Sequence, residues 1–244
     1  MLILAIAFAL QFGQINIQSG NDGDIITEVP EKVVDIFKGF ARFAQASYCQ
    51  EKLLNWTCDP CKHEFTEQAQ FVKEFHNETT EGRAYMAVDY LHQSVIIGFR
   101  GTVSSQNWFY DLKTDFVDVS EALNWPDTVK ESGRVHKGFL ETYLSIRDQI
   151  LPIVQRVRYL LPTYTLITVG HSMGAAIAAL AAIDLNFALF QPSKILAFTY
   201  GQPRLGDATF SQFVNYLEEM NKVAIYRLIN ENDLVPHLPP SLVL

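Results

Sequence analysis

Residues 164–190 constrain the fold more than any other stretch. "YTLITVG" is a continuous apolar, β-branched run, and "AAIAALAAIDLNFALF" is dominated by alanine; "HSMG" joins them. The first run has the pattern of a strand buried on both faces, and the second that of a helix able to lie close to whatever covers it. Between them, Gly170-His171-Ser172-Met173-Gly174 has Gly-x-Ser-x-Gly spacing at a strand-to-helix turn. Small flanking residues permit the sharp, strained bend that lifts a serine hydroxyl out of the backbone. The N-terminus of the following helix directs unpaired N–H groups at any oxyanion formed there. A glycine-bounded turn with an incidental serine is the competing reading; the strand before and the helix after favour a mounted nucleophile.

The same rhythm continues downstream. "KILAFTYG" (194–201) predicts a strand, "DATFSQFVNYLEEM" (207–220) a helix and "KVAIYRLIN" (222–230) a strand. Apolar strands alternating with helices imply an α/β protein with a mostly parallel central sheet flanked by helices. Upstream, "RAYMAVDY" (83–90) and "SVIIGFR" (94–100) are two β-rich runs three residues apart, the pattern of a hairpin. Residues 30–47 place Val33, Val34, Phe37, Phe40, Ala41 and Ala44 at helical spacing behind Pro30. Residues 136–160 predict a helix that Pro152 bends or divides.

A chain of 244 residues suffices for one domain with a sizeable core, expected here over residues 28–244. Its net charge of −8 argues against nucleic acid and anionic membrane surfaces, which reward clustered Lys and Arg. "MLILAIAFAL" is too short to span a bilayer, so no transmembrane segment is expected. It suits the core of a signal peptide over residues 1–19, or else a buried N-terminal element; no basic residue precedes it and no small-x-small site marks a cleavage point. The triplets beginning at Asn55 and Asn77 would be glycosylation sites in a secretory lumen. Of three cysteines, Cys58 and Cys61 are spaced for a local bridge that leaves Cys49 over. A zinc site is disfavoured, because the Cys58-x-x-Cys61 pair has no second pair, and His63 close by still leaves a fourth ligand missing.

With these features in view, the chain resembles the class 3, or fungal-type, triacylglycerol lipases of the α/β-hydrolase fold. The resemblance rests on "GHSMG", on "IIGFRGT" followed by "SSQNWFYDL", and on "VHKGF", "FTYGQPRLGD", "YRLINENDLVPHLPP" and "ASYC" near residue 47. These stretches occur in order and cover roughly residues 30–240. Met173 and Ala175 stand where the family more often has leucine and glycine. The resemblance implies a serine esterase or lipase that cleaves lipid esters at an oil–water interface, without metal or cofactor, in a secreted or secretory/lysosomal compartment. It implies oxyanion donors at Thr102 (N–H and hydroxyl) and at the N–H of Met173. It also implies a lid over residues 104–119, with Trp108, Phe109 and Leu112 on its apolar side.

For the acid that orients the base, Asp233 follows the last strand and comes after Ser172, as the order of this fold requires. Asp207 is better explained as the cap of the helix behind it. The base is harder to place. His63 and His76 lie in early loops, His92 in the hairpin turn and His136 in the "VHKGF" segment; His171 adjoins Ser172 with its side chain directed away from the nucleophile's face. His237 is the one histidine after Asp233, but it lies in a stretch that is not catalytic in the family. The family's histidine, and the usual partner of a cysteine placed like Cys49, both lie nearer the C-terminus than Leu244. The expectation is therefore a chain incomplete at its C-terminus and nearly inactive as it stands, since losing the histidine alone costs on the order of 10⁶ in kcat. The alternative is a non-catalytic, hydrolase-like protein that binds a lipid or a partner.

Overall fold

In the computed structural model, residues 29–102, 115–189, 194–230 and 232–239 are described. The chain forms two compact units, residues 1–38 and 39–244. In the first, the described residues open helix α1 (Glu31–Ala46): Pro30 sits before its first turn and its carbonyl accepts from the N–H groups of Val33 and Val34.

The second unit is organised by a six-stranded sheet. Its strands are β1 (Ala69–His76), β2 (Arg83–Asp89), β3 (Ser94–Phe99), β6 (Thr165–His171), β7 (Ile195–Tyr200) and β8 (Val223–Leu228), hydrogen-bonded in that order. A separate pair joins β4 (Phe116–Asp118) to β5 (Arg134–His136). The first three strands are antiparallel neighbours, whereas β3, β6, β7 and β8 run parallel. The hairpin between β2 and β3 is tied by Asp89, whose Oδ1 accepts from the N–H groups of Leu91 and His92. Strand β1 carries no clear alternation because it is a half-exposed edge, with a register shift between Phe71 and Lys73.

Among the described residues, helices α2 (Lys137–Leu160), α3 (Met173–Ala188) and α4 (Ala208–Glu219) flank this sheet. Pro152 does not divide α2, which is one helix of 24 residues. Its buried side, with Tyr143, Ile146, Ile150 and Val154, joins the core on both sides of the proline, so packing outweighs the loss of one backbone bond. Residues 173–186 of α3 are buried without a break. Alanine at 175, 176, 178, 179, 181 and 182 lets the helix lie against the strands, and Thr168 Oγ1 on β6 donates to the Ala178 carbonyl at 2.8 Å.

An aspartate of α3 lies in this interior. Asp184 of α3 is 0 % exposed, and its carboxylate accepts from Trp125 Nε1 (2.9 Å), Tyr143 Oη (2.7 Å) and the Arg147 guanidinium (2.7 and 3.1 Å). Four donors on two oxygens replace the water the carboxylate gave up and tie α2 to α3. Arg147→Ala strands that charge and is expected to cost about 3–5 kcal/mol, read as a lower urea midpoint.

Candidate functional site

Because β3, β6, β7 and β8 are parallel, their C-terminal ends meet along one edge of the sheet. Phe99 lies opposite Gly170, His171 opposite Tyr200, and Tyr200 opposite Leu228. Ser172 stands at this edge between β6 and α3 with φ 58° and ψ −128°. Such a backbone is costly for a residue with a Cβ, about 1–3 kcal/mol, and persists where the surroundings hold it. The Ser172 N–H donates to the Tyr200 carbonyl at 2.9 Å, and its side chain caps no helix N–H. The residue keeps 8 % of its surface.

Two glycines make the bend possible. A Cβ on Gly170 would fall on the backbone of Gly174, and a Cβ on Gly174 would fall on the Phe99 carbonyl and come within 2.8 Å of the Gly101 nitrogen. The first turn of α3 therefore touches the segment that leaves β3. Met173 is the first residue of α3, where N–H groups have no partner inside the helix. Gly101 lies against the elbow: a Cβ there would be 2.6 Å from the His171 carbonyl and 3.5 Å from Ser172 Cβ. Thr102, half-buried, is the next residue.

Asp233 reaches the same edge from β8. Its N–H donates to the Asn230 carbonyl and its Oδ1 accepts from the Val235 N–H, both at 2.9 Å. Its Oδ2 is 2.9 Å from where a Cβ on Gly201 would stand, at the end of β7. Asp207 is placed otherwise. Its Oδ1 accepts from the Phe210 N–H at the start of α4 and its Oδ2 pairs with Arg134 at 3.1 Å. Burial works against the Asp207 carboxylate, but these donors outweigh it and hold its pKa below the usual range.

The histidines are dispersed. His63 Nδ1 accepts from the Phe65 N–H, His92 pairs with Asp89, and His136 Nδ1 accepts from the Gly138 N–H at the start of α2. His76 ends the edge strand β1, and His237 is exposed in the 3-10 turn Val235–His237. His171 Nδ1 lies 3.1 Å from the Tyr48 hydroxyl. Burial lowers the His171 pKa while Asp233 acts to raise it. Among the described residues, none of these rings is hydrogen-bonded to the Ser172 hydroxyl. Tyr48 is the site residue the sequence reading passed over, and no local pattern connects it to a histidine 123 positions away.

Other expected positions are scattered. Cys58 and Cys61 form a disulfide and Cys49 is free. Asn55 is exposed, whereas Asn77 is half-buried and its Oδ1 accepts from the N–H groups of Thr79 and Thr80. Trp108, Phe109 and Leu112 lie outside the described residues, and the end of the expected lid stretch, Phe116–Asp118, is strand β4. A cavity of about 510 Å³ between Phe210, Val214, Ile225 and Arg227 has neither Ser172 nor Asp233 in its wall.

The family model described as lipase (class 3) matches residues 96–243, from β3 through the elbow to the Asp233 loop. The chain belongs to the class 3 lipases. It is 30% identical over 224 residues to a lipase of Rhizomucor miehei, covering 90% of this chain and 58% of that protein. It is also 30% identical over 220 residues to the secreted mono- and diacylglycerol lipase A of Penicillium camembertii, covering 87% and 67%. The crystal structure of a lipase from Rhizopus microsporus var. chinensis superposes with a TM-score of 0.78 at 26% identity, over 88% of this chain and 71% of that one. This class 3 lipase chain thus has the α/β-hydrolase fold, and it spans little more than half the length of the curated Rhizopus and Rhizomucor relatives it matches.

The contact at the elbow makes a direct prediction. Gly174→Ala forces α3 away from the end of β3 and is expected to destabilise the protein by about 1–3 kcal/mol. Asp207→Ala removes a helix cap and the ion pair with half-exposed Arg134 and should cost about 1–2 kcal/mol; urea denaturation measures both.

Proposed function

We propose that Ser172 is the nucleophile of a carboxylic-ester hydrolase acting on acylglycerol-like lipid esters at an oil–water interface. One observation carries the reading: a serine held at φ 58° on a strand-to-helix bend, with the Gly101–Thr102 segment packed against it. The names of the relatives support the lipid-ester class. In the reaction, Ser172 Oγ adds to the ester carbonyl as its proton passes to an imidazole base. Thr102, through its N–H and hydroxyl, and the Met173 N–H bind the oxyanion. Collapse of the tetrahedral intermediate expels the alcohol, which takes up that proton, and water then hydrolyses the acyl-enzyme. Asp233 orients the base and stabilises its cationic form. Nucleophile, base and donors supply all the chemistry, so no metal or cofactor is required.

The part of the stretch 104–119 that precedes β4 serves in this proposal as a lid whose apolar side, with Trp108, Phe109 and Leu112, turns to lipid. Secretion is supported by the Cys58–Cys61 disulfide and by the exposure of Asn55. No helix among the described residues is long and apolar enough to cross a membrane.

The test is release of butyrate from emulsified tributyrin by the native protein. Ser172→Ala is expected to lower kcat by about 10⁶ and Asp233→Ala by about 10⁴. Asp207→Ala and His237→Ala should stay within a few-fold of wild type. Hydrolysis that survives Ser172→Ala removes the proposal.

A further inference from the structure

A phenol hydroxyl stands beside the elbow and belongs to neither the nucleophile nor the acid. Tyr48 follows the end of α1 by two residues, and its hydroxyl oxygen accepts from the Gly101 N–H at 3.1 Å. The same oxygen is 3.1 Å from His171 Nδ1. With Gly101 occupying one acceptor site, the phenol still has its single proton to donate to His171 Nδ1 when the ring carries its own proton on Nε2. The His171 ring and Asp233 both border Gly201: the position a Cβ would take there is 3.9 Å from His171 Nε2 and 2.9 Å from Asp233 Oδ2.

The position of this link in the chain gives it consequence. The ladder between β3 and β6 ends at Phe99 and Gly170. Beyond it, the Gly101 N–H has the Tyr48 hydroxyl as its acceptor in place of a strand carbonyl. Gly101 is covalently joined to Thr102, and His171 to Ser172. One hydroxyl therefore couples the residue before the oxyanion donor to the residue before the nucleophile. We propose that Tyr48 is a positioning residue for acyl transfer at Ser172, its hydroxyl setting the separation of the Thr102 donors from the nucleophile. The proposal rests on the ester-hydrolase reading above. Oxyanion donors act only within about 2.7–3.1 Å of the developing charge, and a misplacement of about 1 Å costs on the order of 10² in rate. The protonation states are compatible: burial raises the Tyr48 pKa, against the Gly101 N–H and Arg100, so the phenol keeps its proton, and burial lowers that of His171, against Asp233, which favours a neutral ring.

Tyr48→Phe keeps the ring and removes the link. On p-nitrophenyl butyrate the expected result is a kcat about 10–100-fold lower with KM within about two-fold, in a protein whose urea midpoint is close to wild type. A role in folding alone would move the midpoint and leave kcat per folded molecule unchanged, and that result overturns the proposal. A wild-type kcat in Tyr48→Phe, where Ser172→Ala abolishes hydrolysis, also overturns it and leaves the ester-hydrolase reading standing. Absence of Ser172-dependent hydrolysis in the native protein removes both. If Tyr48→Phe does not fold, the ¹⁵N shifts of His171 in the native protein decide. An unprotonated, hydrogen-bonded Nδ1 supports the link, and a proton on Nδ1 overturns it.

Discussion

The closeness of α3 to the ends of β3 and β6 is the constraint on which the rest of the site depends. It exists because Gly170 and Gly174 present no side chains where backbone meets backbone. Ser172, between them, adopts a conformation that a chain free to relax would abandon. The helix behind it does not allow that relaxation. Ile177, Leu180, Ile183 and Leu185 are all almost wholly buried, and each contributes roughly 1.5–3 kcal/mol by leaving water. Their sum exceeds the strain of about 1–3 kcal/mol at the bend, so the serine is held in place rather than merely tolerated there.

Two carboxylates show how the same interior assigns different roles. Asp184 is fully enclosed and has both oxygens saturated by four donors, which makes it a fastener between helices. Asp233 is half-buried, with Oδ1 committed to one backbone N–H and Oδ2 turned towards the end of β7 and the His171 ring. Among the described residues no hydrogen bond reaches Asp233 Oδ2, whereas each Asp184 oxygen accepts two. Asp207, closer to Ser172 in sequence than Asp233, has its oxygens engaged at the start of α4 and by Arg134.

The elbow and the strand–helix alternation from residue 164 onward were legible because periodicity and glycine spacing are local properties of the chain. The capping role of Asp207 and the Cys58–Cys61 bridge were legible for the same reason, each depending on residues three positions apart. Strand β1 was not, since an edge strand carrying Lys73 and Glu74 leaves little apolar alternation to detect. Pro152 signalled a bend or a division, and the helix is not divided, because the proline penalty is set against burial on both sides of it, which only packing reveals. Neither the enclosure of Asp184 nor the pairing of Tyr48 with His171 has a local signature.

The amino-acid order by itself determined which serine occupies the bend, which strands run in series with helices, and that an acid follows the last strand. Each of these depends on neighbours within a few residues, where backbone sterics and side-chain periodicity act directly. Tertiary structure alone decided that Tyr48, Gly101, His171 and Asp233 meet at one sheet edge, and that Asp184 is locked while Asp233 is not. Parallel pairing of β3, β6, β7 and β8 brings together segments far apart in the chain, and hydrogen-bond geometry over such separations is set by packing rather than by spacing along the sequence.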